Sequence, residues 1–516
     1  MFRANAPQRI GVIGGGTAGY LTAIALKRWK PSLDVTLVES SAIPIIGVGE
    51  ATTPPLLPFL HRFLGIDPHE LHRVVRPTWK LGIKFEWANP GPFNYPFMPE
   101  DVAEAYAYDG HIDTGSLESM LMTSKRAPMT WDGAKVQSVL PKLRLAYHLD
   151  NKPFVHFLAM FARRAGVVHL DRTVDQVVVR PGAGDEPEVD HLTTEGGDKL
   201  SFDLYVDATG FRSRLMTALG SEFQDFSDSL YCDRAIAANV PHHGIIKPYT
   251  LAETMDNGWC WNISQVDEDH RGYVYASAFC TEEQALAEMR AKNPGMGDHW
   301  TVKFRSGRRP YFVRGNTVAV GNAYGFVEPL ESTAIHMALI HIVRLLRLLD
   351  PEAAPEDRDR ANANRRVGGH WDYLRWFLAV HYRFNHRLDT PFWRQCRETV
   401  NVSGFQDVLD DFAEHGSLNA RSVPRTEDSI FGNAGIDCLL LGQNVPTRAK
   451  PTKLPRAEFE RINAVRRAFV ASALPVSEAL EQCGENPALY DSLIDGEGSW
   501  VVADSTELPQ RSRLSP

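Results

Sequence analysis

Several things are missing from this 516-residue chain, and each absence excludes something. Cysteine is scarce. The six residues, Cys232, Cys260, Cys280, Cys396, Cys438 and Cys483, form no C-x-x-C pair. That argues against a disulfide framework or a zinc site and for a reducing cytoplasm. Positive charge is not in excess: 55 Lys and Arg stand against 64 Asp and Glu, a net charge of −9, so nucleic acid is not an expected partner. No apolar run is long enough to span a bilayer, so no membrane association is expected. The apolar N-terminal segment is broken by glycines and lacks a cleavage-site pattern, so it does not read as a signal peptide. His148 and the later His370, His381 and His386 lack metal-ligand spacing and read as structural or surface histidines, with no metal expected. There is no internal repeat.

What is present is concentrated near the N-terminus. Residues Arg9–Ile13 form a short β-branched run of the kind that makes a buried parallel strand. It breaks into Gly14-Gly15-Gly16-Thr17-Ala18-Gly19, followed by a helical pattern to Trp29. A second strand, Asp34–Glu39, then ends in an acid. Strand, G-x-G-x-x-G turn, helix, strand and terminal acid are the dinucleotide-binding fingerprint. Gly14 permits the turn, Gly16 lets the backbone approach a pyrophosphate, and Gly19 lets the helix pack on the strand. The helix N-terminus faces the phosphates, and Glu39 is placed for the ribose hydroxyls, which favours FAD or NAD over NADP.

Further along, residues 43–54 read as an ordered loop. Residues 78–87 alternate without a fault, with Trp79, Leu81, Ile83, Phe85 and Trp87 on one face and Thr78, Lys80, Lys84 and Glu86 on the other, which predicts one half-buried strand. On periodicity alone Lys80 and Lys84 are solvated charges. Residues 89–98 read as a loop, 152–166 as a helix, 173–180 and 200–206 as strands, the latter running into Asp207-Ala208-Thr209-Gly210. The strand at 317–320 enters Gly321-Asn322-Ala323-Tyr324-Gly325-Phe326, and a helix covers 335–349. Residues 350–365 read as a surface connection, the remainder as mainly helical, and the chain from about residue 504 as frayed. The expected division is 1–349, a cofactor module with inserted strands, and 350–516, a helical region completing the substrate side.

Three segments can touch one FAD: the fingerprint, Asp207–Gly210, and Gly321–Phe326. Their order is that of an α/β, Rossmann-like flavoprotein monooxygenase-type fold. Only one nucleotide fingerprint is present, so nothing obvious binds NADPH as well. Gly49-Glu50-Ala51-Thr52, Trp79-Lys80-Leu81-Gly82-Ile83, Tyr147-His148-Leu149-Asp150, Trp259-Cys260-Trp261-Asn262-Ile263 and Glu328-Pro329-Leu330-Glu331-Ser332-Thr333 complete the pattern. Together they resemble the flavin-dependent tryptophan halogenases over about residues 9–400. The chain departs at Ser264, where the family has proline, at Ala334, where many members have glycine, and at Asn322, where flavoproteins generally have aspartate.

The resemblance implies FADH2 supplied by a separate flavin reductase. It reacts with O2 to a flavin hydroperoxide, and chloride or bromide becomes hypohalous acid that travels to an electron-rich indole. It assigns Lys80 to capturing or positioning that acid, Glu331 to aligning it and removing the ring proton, and the backbone at Thr333 and Ala334 to the halide. Gly14, Gly16, Thr17, Ala18, Gly19, Glu39, Gly49, Glu50, Ala51, Thr52, Asp207, Gly321, Asn322, Gly325 and Phe326 are the expected cofactor residues. Tyr95, Pro96, Phe97, Ser332, Trp259 and Trp261 are expected around the substrate, the two tryptophans separating it from the flavin. An aromatic hydroxylase is the alternative, and a non-catalytic nucleotide-binding protein a weaker one; a homodimer stays open. Residues 429–439 lack paired tyrosines or a tryptophan. Their glycines suggest a wide pocket that favours indole over tryptophan and bromide at least as much as chloride.

Overall fold

The computed structural model describes residues 7–43, 49–131, 136–139, 143–182, 184, 186–242 and 244–491. Part of the loop expected at 43–54 and the C-terminal residues expected to fray lie outside these. The first sheet has the order Val168–Asp171, Asp34–Glu39, Arg9–Ile13, Leu204–Asp207, Thr317–Ala319, Val313–Arg314. Its first five strands are parallel and the last is antiparallel. From Arg9–Ile13 the chain moves first to one side, to Asp34–Glu39, and later to the other, to Leu204–Asp207. A crevice therefore opens at the carboxyl ends of Arg9–Ile13 and Leu204–Asp207, where such sheets bind ligands. The helix Thr17–Trp29 packs against both Asn151–Arg164 and Ala334–Leu349 beside it.

A second sheet of seven strands runs His299–Lys303, Arg234–Val240, Asp269–Tyr275, Gly258–Ser264, Thr250–Met255, Gly82–Glu86, Phe93–Pro96. A third, small sheet joins the two halves of the site. Its central strand Ala146–Asp150 pairs with Gly49–Ala51 on one edge and Thr78–Lys80 on the other.

The alternating stretch at 78–87 is therefore two strands. Thr78–Lys80 belongs to the small sheet and Gly82–Glu86 to the large one, with Leu81 donating its N–H to the Pro248 carbonyl between them. A side chain at Gly82 would meet the Tyr95 carbonyl oxygen at 2.2 Å, so the change of sheet depends on glycine. Residues 89–98 are likewise corrected from a loop. Phe93–Pro96 is an edge strand of the large sheet, fixed by Phe93 stacking on Phe85 at 5.2 Å. Pro96 is tolerated because an edge strand can leave a donor position empty. The strand expected at 200–206 is split into Lys199–Leu200 and Leu204–Asp207.

The helix Arg360–Arg383 and the later helices Asn433–Gly442 and Arg456–Ser472 build the C-terminal side. Ala473–Pro475 returns to pair with Arg126–Trp131, and one buried apolar cluster contains residues from both sides of position 349.

Candidate active site

The nucleotide crevice is built by glycines with different tasks. Gly14 has φ +120°, and a Cβ there would lie 2.2 Å from the Ala208 carbonyl oxygen, so the two strand ends touch only because the residue is glycine. A Cβ on Gly19 would strike the Gly14 oxygen. Gly16 differs: nothing lies within 4 Å of its missing side chain. Protein packing accounts for Gly14 and Gly19, while Gly16 leaves open the approach a pyrophosphate needs, so the crevice fits a dinucleotide.

Glu39 is half-buried, and its Oε1 accepts from the Tyr20 hydroxyl at 2.5 Å and lies 2.6 Å from His169 Nε2. Thr17 Oγ1 donates to Asn151 at 3.0 Å, and Ala18 lies against Gly321. Glu50 is half-buried, with its carboxyl raised to about 7 by desolvation. Ala51 is partly open beside it.

Four expected cofactor residues are otherwise engaged. Asp207 is fully buried, and its two oxygens accept from Thr209 N and Oγ1 and from Leu215 and Met216 N. It holds its own loop and the next helix. Thr52 Oγ1 is bonded to both backbone groups of Tyr147. Gly49 makes room for the His270 ring, and Gly325 pairs with Arg308 in a short strand, close against the Gly307 carbonyl oxygen. Asn322 and Phe326 line a cavity of about 240 Å³, and Phe211 contacts the Phe326 ring edge-on at 4.8 Å.

Lys80 carries a strong electrostatic signal. It is fully buried, contrary to its periodicity, because the small sheet turns Thr78–Lys80 inward. Its Nζ donates to Ser332 Oγ at 2.7 Å and sits 5.4 Å from the Phe97 ring centre. Burial lowers its pKa from 10.5 to about 7, while the nearby Glu331 carboxylate opposes the shift. Lys84, by contrast, stays half-exposed with its ammonium over Tyr249. Ser332 has the left-handed φ of +56° and ends the short helix Pro329–Glu331. Strain of this kind in a buried non-glycine residue persists where the surroundings over-determine it. The long helix starts immediately afterwards, with Thr333 as N-cap and no side-chain cap bond, so its first-turn N–H groups lack intrahelical acceptors.

Glu331 is 2% exposed, and its Oε1 lies 2.7 Å from His381 Nε2. Tyr95, Phe97, Phe85, Phe377 and Phe431 surround this region. Phe377 stacks on Phe431 at 4.3 Å, and both Phe85 and Phe377 contact His381. The glycines of 429–439 do not widen the pocket as expected. Gly435 receives the Tyr95 hydroxyl, and the neighbouring Gly442 receives the Phe93 ring. Trp259 and Trp261 are buried on Gly258–Ser264, and Trp259 Nε1 donates to Glu328 at 2.9 Å.

The sequence profile described as Tryptophan halogenase matches residues 9–457. The chain belongs to the tryptophan halogenase family. It is 32% identical over 473 residues to the tryptophan 7-halogenase RebH of Lentzea aerocolonigenes, covering 82% of this chain and 85% of that protein. Among solved structures it is similar to MibH, a lathipeptide tryptophan 5-halogenase, with 42% identity, a TM-score of 0.87, and 95% and 96% of the two chains covered. A flavin-dependent halogenase from Xanthomonas campestris matches with 28% identity, a TM-score of 0.82, and coverage of 93% and 98%. The chain is thus an enzyme, a halogenase of the oxidoreductase type, and its α/β fold with parallel sheet is that of these relatives.

Three buried polar residues that the sequence reading gives no role in the site border it in the structure. His381 was grouped with structural histidines, yet it is fully buried on Glu331. Its place among Trp371, Phe377 and Val380 on an apolar helix was the available signal. Glu328 is fully buried, accepts from Tyr382 as well as Trp259, and is raised to about 7 by desolvation. His148 sits opposite Thr78, bonds Thr250 Oγ1 at 2.9 Å, and is kept neutral by burial and by Lys80. Ser264, which replaces the family proline, is also accounted for. Its hydroxyl donates to Asp269 at 2.7 Å and its carbonyl accepts from Thr78 Oγ1 at 2.6 Å, tying the tryptophan strand to the lysine strand.

Two outcomes follow from this geometry. Gly16→Val is expected to fold, because its side chain meets no protein atom, but to lose flavin binding in a fluorescence titration; unchanged affinity in a folded variant removes the crevice as the cofactor site. Lys80 binds fewer protons in the folded than in the unfolded chain between about 7 and 10.5. Its contribution to stability therefore improves as pH rises through that window and is lost as pH falls towards 7. The wild type is expected to gain thermal stability relative to Lys80→Met between pH 7 and 10; parallel melting curves over that range overturn the buried-amine assignment.

Proposed function

We propose that this protein is an FADH2-dependent halogenase that modifies the indole ring of a tryptophan-type substrate, using halide, dioxygen and a separate flavin reductase. The observation that carries this is the buried Lys80 amine, held by Ser332 beside Glu331. Bound reduced flavin, with dioxygen, supplies the oxidising equivalent that makes halide electrophilic. The open approach at Gly16 and the carboxylate of Glu39 are the residues that would hold the dinucleotide. The unbonded N–H groups after Thr333, at Ala334, would face the halide.

A lysine with a pKa near 7 is partly neutral at neutral pH. It can hydrogen-bond hypohalous acid as an ammonium or accept the halogen as an amine. In either state Ser332 fixes the direction of its nitrogen. The ring would lie among Tyr95, Pro96, Phe97 and Phe431, with Glu331 accepting the proton released when the aromatic ring is restored. Trp259, fixed through Glu328 and Tyr382, is a rigid wall that can keep a bulky ring away from the flavin. That arrangement disfavours hydroxylation, which needs the substrate beside the flavin.

Lys80→Ala is expected to keep consuming reduced flavin and oxygen while giving no halogenated product. Glu331→Gln is expected to lower turnover about 10²-fold, as for a lost general base. Wild-type product formation by the Lys80 variant, in an assay with FAD, reductase, NADH, halide and tryptophan, would overturn the proposal. Bromide should be used at least as readily as chloride because it is more easily oxidised. A clear excess of chlorinated product in an equimolar competition contradicts that ordering.

A further inference from the structure

The protein is acidic overall, with a net charge of −9, yet one cavity concentrates positive charge. The cavity of about 240 Å³ beside Asn322 and Phe326 is lined by Arg234, Lys303, Arg305 and Arg309, and no Asp or Glu lines it. Arg234 is paired with Asp233 at 2.5 Å. Arg309 is 7% exposed and donates to the Ser221 carbonyl and to Thr217 Oγ1, both uncharged. Lys303 and Arg305 are exposed and have no acid partner among the described residues. A cleft lined by one sign of charge focuses its field on a counter-ion.

The other walls are aromatic. Phe304 and Phe211 both meet the Phe326 ring edge-on, at 5.2 and 4.8 Å, and the Arg305 guanidinium lies 4.7 Å from the Phe223 ring centre. Phe223 is fixed by the small sheet of Gln224–Asp225, Gly307–Arg308 and Gly325–Phe326, where a Cβ on Gly307 would stand 2.6 Å from its ring. Phe211 is 43% exposed. It sits on the turn Gly210–Arg212, flanked by left-handed φ values of +62° at Gly210 and +41° at Ser213. Ser213 is buried, and its hydroxyl donates to the Ala323 carbonyl at 2.6 Å. A strained non-glycine residue thus holds a large apolar ring at the rim of the cavity instead of in the core.

The cavity adjoins the dinucleotide crevice but is lined by other residues. None of Gly14–Gly19, nor Glu39, lines it. Ala208 meets Gly14 and Gly321 meets Ala18, and the cavity begins further along the same two loops, at Phe211 and Asn322. A halide alone would need no rings beside it. Guanidinium and ammonium groups match phosphate, and a flat ring stacks on phenylalanine whatever its substituents. A volume of about 240 Å³ is below the ~300–1,000 Å³ that encloses a whole drug-sized ligand, so it suits one ring and its phosphate with the remainder outside. We infer that this cavity is a second nucleotide site, separate from the FAD crevice, which takes an aromatic ring against Phe211 and Phe223 and its phosphate on Lys303 and Arg305. The site goes beyond halogen transfer and does not depend on it. Nicotinamide dinucleotides, of the kind a flavin reductase consumes, and adenine mononucleotides share this chemistry.

The test is calorimetric titration of the full chain, saturated with FAD, with NAD+, AMP and inorganic phosphate. NAD+ and AMP are expected to bind, less tightly as salt is raised, and phosphate more weakly than either. Tighter binding of NAD+ than of AMP identifies a dinucleotide as the ligand and equal affinities a mononucleotide; both support the site. Lys303→Ala and Arg305→Ala change exposed positions and should each weaken AMP binding about tenfold, as for a lost charge-assisted bond, with FAD affinity unchanged. Phe211→Ala should weaken AMP but not phosphate; AMP binding unaltered in that variant overturns the ring contact. Gly16→Val should still bind AMP although it loses FAD. Absence of AMP and NAD+ binding by the wild type, a measurement that needs no variant to fold, overturns the site. A parallel fall in FAD affinity in the Arg305 variant overturns its separateness and makes the cavity part of the flavin's own site. Turnover is read in none of these titrations, so failure of the halogenase reading would be seen apart from them, as the absence of halogenated product.

Discussion

The arrangement depends on burying one amine. An ammonium taken out of water is costly unless it is paired or neutral, and Lys80 is fully buried with a hydroxyl as its hydrogen-bond partner and a carboxylate nearby. The fold enforces this by making residues 78–80 part of a three-stranded sheet whose opposite edge, Gly49–Ala51, borders the nucleotide crevice. The strand between them, Ala146–Asp150, therefore couples the position of the lysine to that of Glu50. It also carries His148, which is kept neutral and so adds no second charge below Lys80.

The tryptophan strand is fixed to the same unit from the other side. Ser264 accepts from Thr78, and Gly272 leaves the space occupied by Trp261, whose ring would overlap a Cβ at 1.9 Å. Glu328 then joins Trp259 to Tyr382, and Tyr382 stacks on Trp393 at 5.6 Å. The wall and the lysine are thus held by separate contacts to one sheet and one helix.

Much of the fold was legible because its signals are local. The strands Arg9–Ile13 and Asp34–Glu39 have the expected bounds, since β-branched runs next to a glycine turn have few alternatives. Lys80 was not legible from its own neighbourhood. Alternation put it on a polar face, and only the change of sheet at Gly82, a tertiary event involving Tyr95 and Pro248, turns it inward. The strand Phe93–Pro96 was hidden by its prolines. Gly435 and Asp207 are residue types common in binding sites, and each here meets a protein neighbour that no local pattern announces.

The contact between Glu331 and His381 limits what the carboxylate can do. His381 Nδ1 lies 2.9 Å from the Phe377 carbonyl oxygen, which can only accept, so Nδ1 carries a proton. Its Nε2 lies 2.7 Å from Glu331 Oε1, and that contact needs a proton as well. The pair therefore holds two protons, either as imidazolium and carboxylate or as imidazole and carboxylic acid, and is neutral in both forms. Only the first leaves Glu331 able to take a proton from a halogenated ring. The nearby Glu331 carboxylate in turn opposes the lowering of the Lys80 pKa. Lys80 and Glu331 are thereby coupled through charge. Rotation of His381 is opposed by Phe85 and Phe377, whose rings lie 5.3 and 5.1 Å away. The apolar packing of the C-terminal helix thus fixes which oxygen of Glu331 remains for the substrate.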